Sequence, residues 1–149
     1  MEGKYTKASA VVGFVALAIT LWQIIPTSKK NYSGEWSMTS EIEEAQMTTY
    51  IGMKIEWILH LIQSGNDIKG TAEKISENGK KIDFKSRTTL NLQGTLEDNK
   101  FTMSFTEKGS RRETSGTFTG TFSKKEFIGS FSSTASDSKG KIIGKKISG

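Results

Sequence analysis

From residue 55 onward, apolar and polar residues alternate in short runs separated by turn signals, the period of half-buried β-strands. Residues 89–96 place Leu90, Leu92, Gly94 and Leu96 on one face. Residues 100–106 set Phe101, Met103 and Phe105 against Thr102, Ser104 and Thr106. Residues 114–123 set Gly116, Phe118, Gly120 and Phe122 against Thr117, Thr119 and Thr121, and residues 126–132 continue with Phe127, Gly129 and Phe131. Residues 55–63, 67–76, 80–87 and 141–147 read as further strands. Ser64-Gly65-Asn66 marks one turn, and Asn78-Gly79 is the strongest short hairpin signal. Residues 107–112 read as a basic turn and 136–140 as a loop. Upstream, Trp36-Ser37-Met38-Thr39 alternates like a strand. Ser40-Glu41-Ile42-Glu43 fits a capping box, so residues 41–47 form either a short helix or more strand, and 47–54 reads as extended.

The pattern predicts an all-β domain, a meander of about eight strands with short connections. Gly recurs inside strands, at Gly70, Gly94, Gly120 and Gly129. Gly weakens a flat strand, and close backbone approach in a small closed barrel supplies a reason for it. Closure also removes exposed edges. A small up-and-down antiparallel barrel is therefore favoured over a sandwich, with Phe, Gly and Leu inward and Thr and Ser outward.

Residues 8–25 break this pattern. They carry no charge, lie between Lys7 and Pro26, and as a helix would reach about 27 Å, close to the hydrocarbon thickness of a bilayer. They read as one N-terminal transmembrane helix, with Tyr5 and Trp22 as interfacial aromatics. Ser9, Gly13, Ala16, Thr20 and Gln23 recur at spacings of four and three, a stripe of small and polar residues of the kind that mediates helix association in lipid. The domain plan is a tail at 1–7, the helix at 8–25, a linker at 26–33 and the barrel at 34–149. The apolar run is longer than a signal-peptide core and lacks a small-x-small cleavage site, so an uncleaved anchor is expected. Lys4 and Lys7 precede it and Lys29 and Lys30 follow, so charge does not fix the side the barrel faces. The expectation is a single-pass protein, of a bacterial inner membrane, whose partners are membrane lipid and further copies of itself.

Composition narrows the chemistry. The chain has 149 residues, enough for the anchor and one domain, and no Cys, which excludes disulfides, thiolate metal sites and a Cys nucleophile. His60, the single His, sits in the apolar run Trp57-Ile58-Leu59-His60-Leu61-Ile62 without evident partners and reads as structural. Residues 139–146 miss the phosphate-loop spacing by one residue and fall on a strand. No Asp-rich calcium loop is present. No catalytic residue, metal site or cofactor is expected, and no enzyme. Six phenylalanines, Phe101, Phe105, Phe118, Phe122, Phe127 and Phe131, read as core filling. The net charge of +5 is uneven, with basic pairs at Lys80-Lys81, Arg111-Arg112, Lys124-Lys125 and Lys145-Lys146. DNA is not an expected partner. Arg111 and Arg112, with Lys124 and Lys125, could clamp the phosphates of a small anionic ligand at one rim while Trp57 stacks a base.

Gly34-Glu35-Trp36 before the first strand, the up-and-down meander and the repeat Gly116-Thr117-Phe118-Thr119-Gly120-Thr121-Phe122 resemble the calycin barrels, of lipocalin and avidin type. That resemblance implies ligand binding in the lumen or at its mouth, and a late basic residue, Arg111 or Arg112, over Trp36. The order of anchor and small barrel also resembles the membrane effectors of CBASS-type anti-phage systems, which implies a barrel sensing a cyclic nucleotide-like ligand and a helix that disrupts the membrane. Three readings follow: such a sensor-effector of antiviral defence; an exported, anchored barrel binding a small apolar ligand or a protein; or a structural accessory subunit.

Overall fold

The computed structural model describes residues 30–108 and 113–149, and the barrel is one compact unit, Asn31–Gly149. The helix expected at 8–25, with Ser9, Gly13, Ala16 and Thr20, lies outside the described residues. Among those described, no helix is long and apolar enough to cross a membrane.

Among the described residues nine strands run in chain order: β1 Gly34–Glu44, β2 Lys54–Ser64, β3 Asp67–Glu77, β4 Lys80–Lys81, β5 Thr89–Glu97, β6 Lys100–Lys108, β7 Glu113–Ser123, β8 Glu126–Ser133 and β9 Ser138–Ser148. Every pairing is antiparallel. β1 pairs with both β2 and β9, β2 with β3, β3 with β5, and β5 through β9 follow in order, so eight strands close into a barrel. The two-residue β4 only extends the hairpin at the end of β3.

Alternation along each strand decides what fills it. Trp36 and Met38, Leu59 and Leu61, Leu90 and Leu92, Phe101 and Phe105, and Phe118 and Phe122 point inward and are buried, while their Thr, Ser and Asn neighbours face out. Four interior glycines have a packing reason. Phe101 lies opposite Gly120, Phe105 opposite Gly116, Phe127 opposite Gly144 and Phe131 opposite Gly140. In each case a Cβ on the glycine would run into the facing ring. A large and a small residue thus share one cross-strand position, which lets six rings fit a narrow lumen.

Of the two alternatives at 41–47 the strand is found: β1 continues through Glu44, because Ser40 and Ile42 keep the inward phase and are buried. Other local expectations are corrected. The extended stretch expected at 47–54 contains a single 3-10 turn, Thr48–Tyr50. The strand expected at 80–87 pairs for only two residues, and a 3-10 turn, Phe84–Ser86, follows. Glu107 and Lys108 belong to β6 and not to a turn, and β9 begins at Ser138 within the expected loop. Asn78-Gly79 does turn the chain, with φ values of 49° and 80°, as a two-residue hairpin with both φ positive requires.

The two ends of the barrel differ. At one end Tyr32 stacks on Phe122 at 4.1 Å and accepts, through its carbonyl, a hydrogen bond from Trp36 Nε1 at 2.9 Å. Phe101, Phe122, Phe127 and Trp36 complete a mutually packed aromatic plug. Tyr32, assigned to the linker by sequence, is therefore a core residue. Lys146 lies over the Trp36 ring at 6.0 Å. The chain enters at this closed end, and the opposite end is open.

Candidate functional site

The open end is built by the last inward positions of the strands that reach it. Lys74 on β3 keeps the phase of Ile68, Gly70 and Ala72, and Glu107 on β6 keeps that of Phe101, Met103 and Phe105. Both side chains are mostly covered, at 16% and 19% exposed. Lys74 Nζ lies 3.6 Å from Glu107 Oε2 and 3.3 Å from Glu77 Oε1. Lys74 and Glu77 are an odd number of positions apart and would face opposite ways on a regular strand. They share the inward face, Glu77 at the mouth with 45% of its side chain exposed, because Glu56 faces Ser76 while its neighbour Trp57 faces Lys74, a bulge that leaves Ile75 unmatched and turns the phase.

Hydroxyls complete the cluster. Thr88 Oγ1 donates to Glu107 Oε2 at 3.0 Å, and Thr114 Oγ1 donates to Glu107 Oε1 at 3.1 Å. Lys74 Nζ also stands 5.3 Å from the centre of the Trp57 ring, whose Nε1 donates to Ser40 Oγ at 3.0 Å. Among the described residues no buried side-chain nitrogen or oxygen lacks a partner.

Beneath and beside this cluster is unfilled space. A cavity of about 110 Å³ is walled by Trp57, Leu90, Phe105, Phe118 and Phe131, with Lys74 and Glu107 at its edge. It shares Ile42, Ile55, Lys74, Ala135 and Ser138 with an open mouth of about 600 Å³, bordered by Met47, Tyr50, Met53 and Glu77. Among the described residues, the ionisable groups on the inward face here are one ammonium and two carboxylates. These residues thus offer an aromatic wall, hydroxyls and a slightly negative field. It suits a small apolar body with a hydrogen-bonding, uncharged or cationic end.

The residues singled out from sequence separate. Trp57 is inside, at the open end. Lys124 and Lys125 form the exposed turn between β7 and β8, beside Phe122 and Phe127 at the closed end, so they do not meet Trp57. Arg111 and Arg112 lie outside the described residues, and the pair Lys108↔Glu113 that flanks them is at the open end. His60 is not structural in the expected sense. It faces outward on β2, 59% exposed, with Nδ1 3.8 Å from Glu35 Oε2, because Trp57, Leu59 and Leu61 hold the inward phase. Among the described residues no group of His, Asp and Glu could hold a metal ion.

Sequence reasoning missed Lys74 and Glu107. The signal for both was one further step of alternation, at the rim of a run whose centre is apolar. Glu77 had no such signal, since the bulge that brings it inside leaves no mark in the spacing.

Fold and geometry define the class: a closed, eight-stranded antiparallel β-barrel, filled at one end and open at the other. No protein-family model matches the chain, and no curated protein matches it.

Proposed function

We propose that the chain is a membrane-anchored binding barrel that takes a small, largely apolar ligand at its open end. The observation that carries this reading is the unfilled, aromatic-walled lumen beneath the Lys74–Glu107 cluster, in a barrel whose other end is packed solid. About 110 Å³ is of the order of one ring, since a 150 Å³ apolar cavity admits benzene. The rest of the ligand lies in the mouth, with its polar end among Lys74, Glu107, Thr88 and Thr114.

The charge balance of the described residues favours this over an anion inside the barrel. Lys74 is already shared by two carboxylates, and a further negative group would meet one uncompensated charge in a partly dehydrated site. In this reading the helix expected at 8–25 holds the barrel at the membrane. Its small-residue stripe is the route by which ligand binding would reach the bilayer, which is how an effector role would enter.

The test is a titration of the full chain in detergent with N-phenyl-1-naphthylamine, a neutral probe of a phenyl and a naphthyl group, read by energy transfer from tryptophan. Ser133→Phe, which fills the cavity wall, serves as the comparison and cancels uptake by the micelle. Saturable transfer is expected, with affinity falling roughly tenfold in the variant. The sulfonated analogue, 1-anilinonaphthalene-8-sulfonate, is expected to bind more weakly. Superimposable titrations for two folded proteins would remove the lumen as the site, and tighter binding of the sulfonate would restore the anionic ligand.

A further inference from the structure

The loops around the open end carry a surface that extends beyond the ligand site, with Met47 and Tyr50 at the mouth common to both. Four large apolar side chains are exposed on loops: Met47, Tyr50 and Ile51 between β1 and β2, and Phe84 between β4 and β5. Both loops are at the open end. The closed-end turns, Gly65-Asn66, Asp98-Asn99 and Lys124-Lys125, are polar throughout. Four more, Ile62, Ile128, Ile143 and Ile147, are exposed on the outer faces of β2, β8 and β9, away from these loops. Exposed apolar side chains gathered on loops at one pole mark a contact surface.

Composition says what the surface fits. The segment from Met47 to Met53 contains no charged residue, in a chain where 25% of residues are charged. The neighbouring segment, Lys80-Lys81-Ile82-Asp83-Phe84-Lys85-Ser86-Arg87, carries four cations against one acid, with Phe84 at its tip, 78% exposed. The two are tied together: Asn78, in the turn leading to Lys80, donates through its backbone N–H to the Lys54 carbonyl and accepts through Oδ1 from the Lys54 N–H. Phe84 is also presented on a fixed base. Arg87, 5.5 Å from its ring, is held by Glu73 at 3.2 Å and by the Ile82 carbonyl at 3.1 Å, so the ring projects from an ordered 3-10 turn. An uncharged apolar loop beside an aromatic-tipped basic finger matches the acyl–headgroup boundary of a bilayer. Phe, Ile and Met enter the apolar layer there, and each lysine near an anionic surface contributes about 1 kcal/mol.

We propose that the open end of the barrel docks onto an anionic lipid surface through Phe84, Ile51, Tyr50 and Met47, steered by Lys80, Lys81 and Lys85. This goes beyond the ligand site and does not depend on it.

The chain has no Cys, so Phe84→Cys and Ile51→Cys can each carry a single nitrobenzoxadiazole dye, with Ile128→Cys and Lys124→Cys as controls elsewhere on the same barrel. The full chain is reconstituted into vesicles of phosphatidylcholine alone or with phosphatidylserine. Dyes at 84 and 51 should shift to the blue and be quenched by acyl-chain spin labels in the anionic vesicles, while those at 124 and 128 should not. Changing Lys80, Lys81 and Lys85 together to Ser should weaken docking by about a hundredfold. Dyes at 84 and 51 that stay as water-exposed as that at 128 in both lipids would overturn the proposal. So would a response that follows protein density and ignores lipid composition, which would assign the surface to a second copy.

Discussion

Glu107 receives hydrogen bonds from two threonines and an ion pair from Lys74, so its removal disturbs three side chains from separate segments. Breaking a buried pair costs about 3–5 kcal/mol, and the partial exposure of this one reduces the expectation for Glu107→Ala to about 2 kcal/mol. In a double-mutant cycle with Lys74→Met, denaturant unfolding should show a coupling of about 1 kcal/mol; strict additivity would mean that the two do not interact in solution. At this scale the sequence was legible wherever a residue sat in phase with apolar neighbours. Lys74 and Glu107 were in phase but charged, and a charge at the end of a strand reads by default as solvated. Trp57 was picked out as a ring that could stack, and it does line the cavity.

Within and between elements, Gly116, Gly120, Gly140 and Gly144 are explained by the rings they face, and Gly70, Gly94 and Gly129 by the close approach of a neighbouring strand's backbone. The Phe127 ring occupies the space a side chain at Gly144 would need, and the Phe105 ring does the same at Gly116. Gly144→Ala should therefore destabilise the barrel by about 1–3 kcal/mol, as overpacking does, and adding Phe127→Leu should recover part of the loss. Thermal unfolding of both variants by circular dichroism checks this, and an unchanged midpoint for Gly144→Ala would show that the ring moves aside freely. Strands β5 to β8 were readable nearly to the residue, since each alternates cleanly and ends at a turn signal. β4 was overread: residues 82–88 leave the sheet to form the basic finger, and Ile82 and Phe84 made them look like strand. The bulge opposite Glu56 and Trp57 was invisible, because it arises from how two strands pair and not from either one alone.

Across the whole molecule, the asymmetry between a plugged end and an open end predicts uneven local stability. Amides beside the plug, such as those of Trp36, Phe101 and Phe122, should exchange with deuterium far more slowly than those of 46–53 and 82–87. Hydrogen-exchange mass spectrometry of the full chain in detergent measures this, and equal protection at the two ends would contradict a rigid plug with a looser mouth. The same asymmetry places the ligand cavity, the charged cluster and the apolar loops at one pole.

The alternation of side chains determined, without any structure, that the domain is all-β and which face of each strand is buried, because a period of two is a local property of the backbone. Closure, and what meets at each level of the lumen, required the fold. β1 pairs with β9 about a hundred residues away, and one bulge shifts the phase of β3 against its neighbour. Lys74, Glu107 and Trp57 therefore meet only because the registers of every intervening pair add up around the ring, a sum that no single stretch of sequence contains.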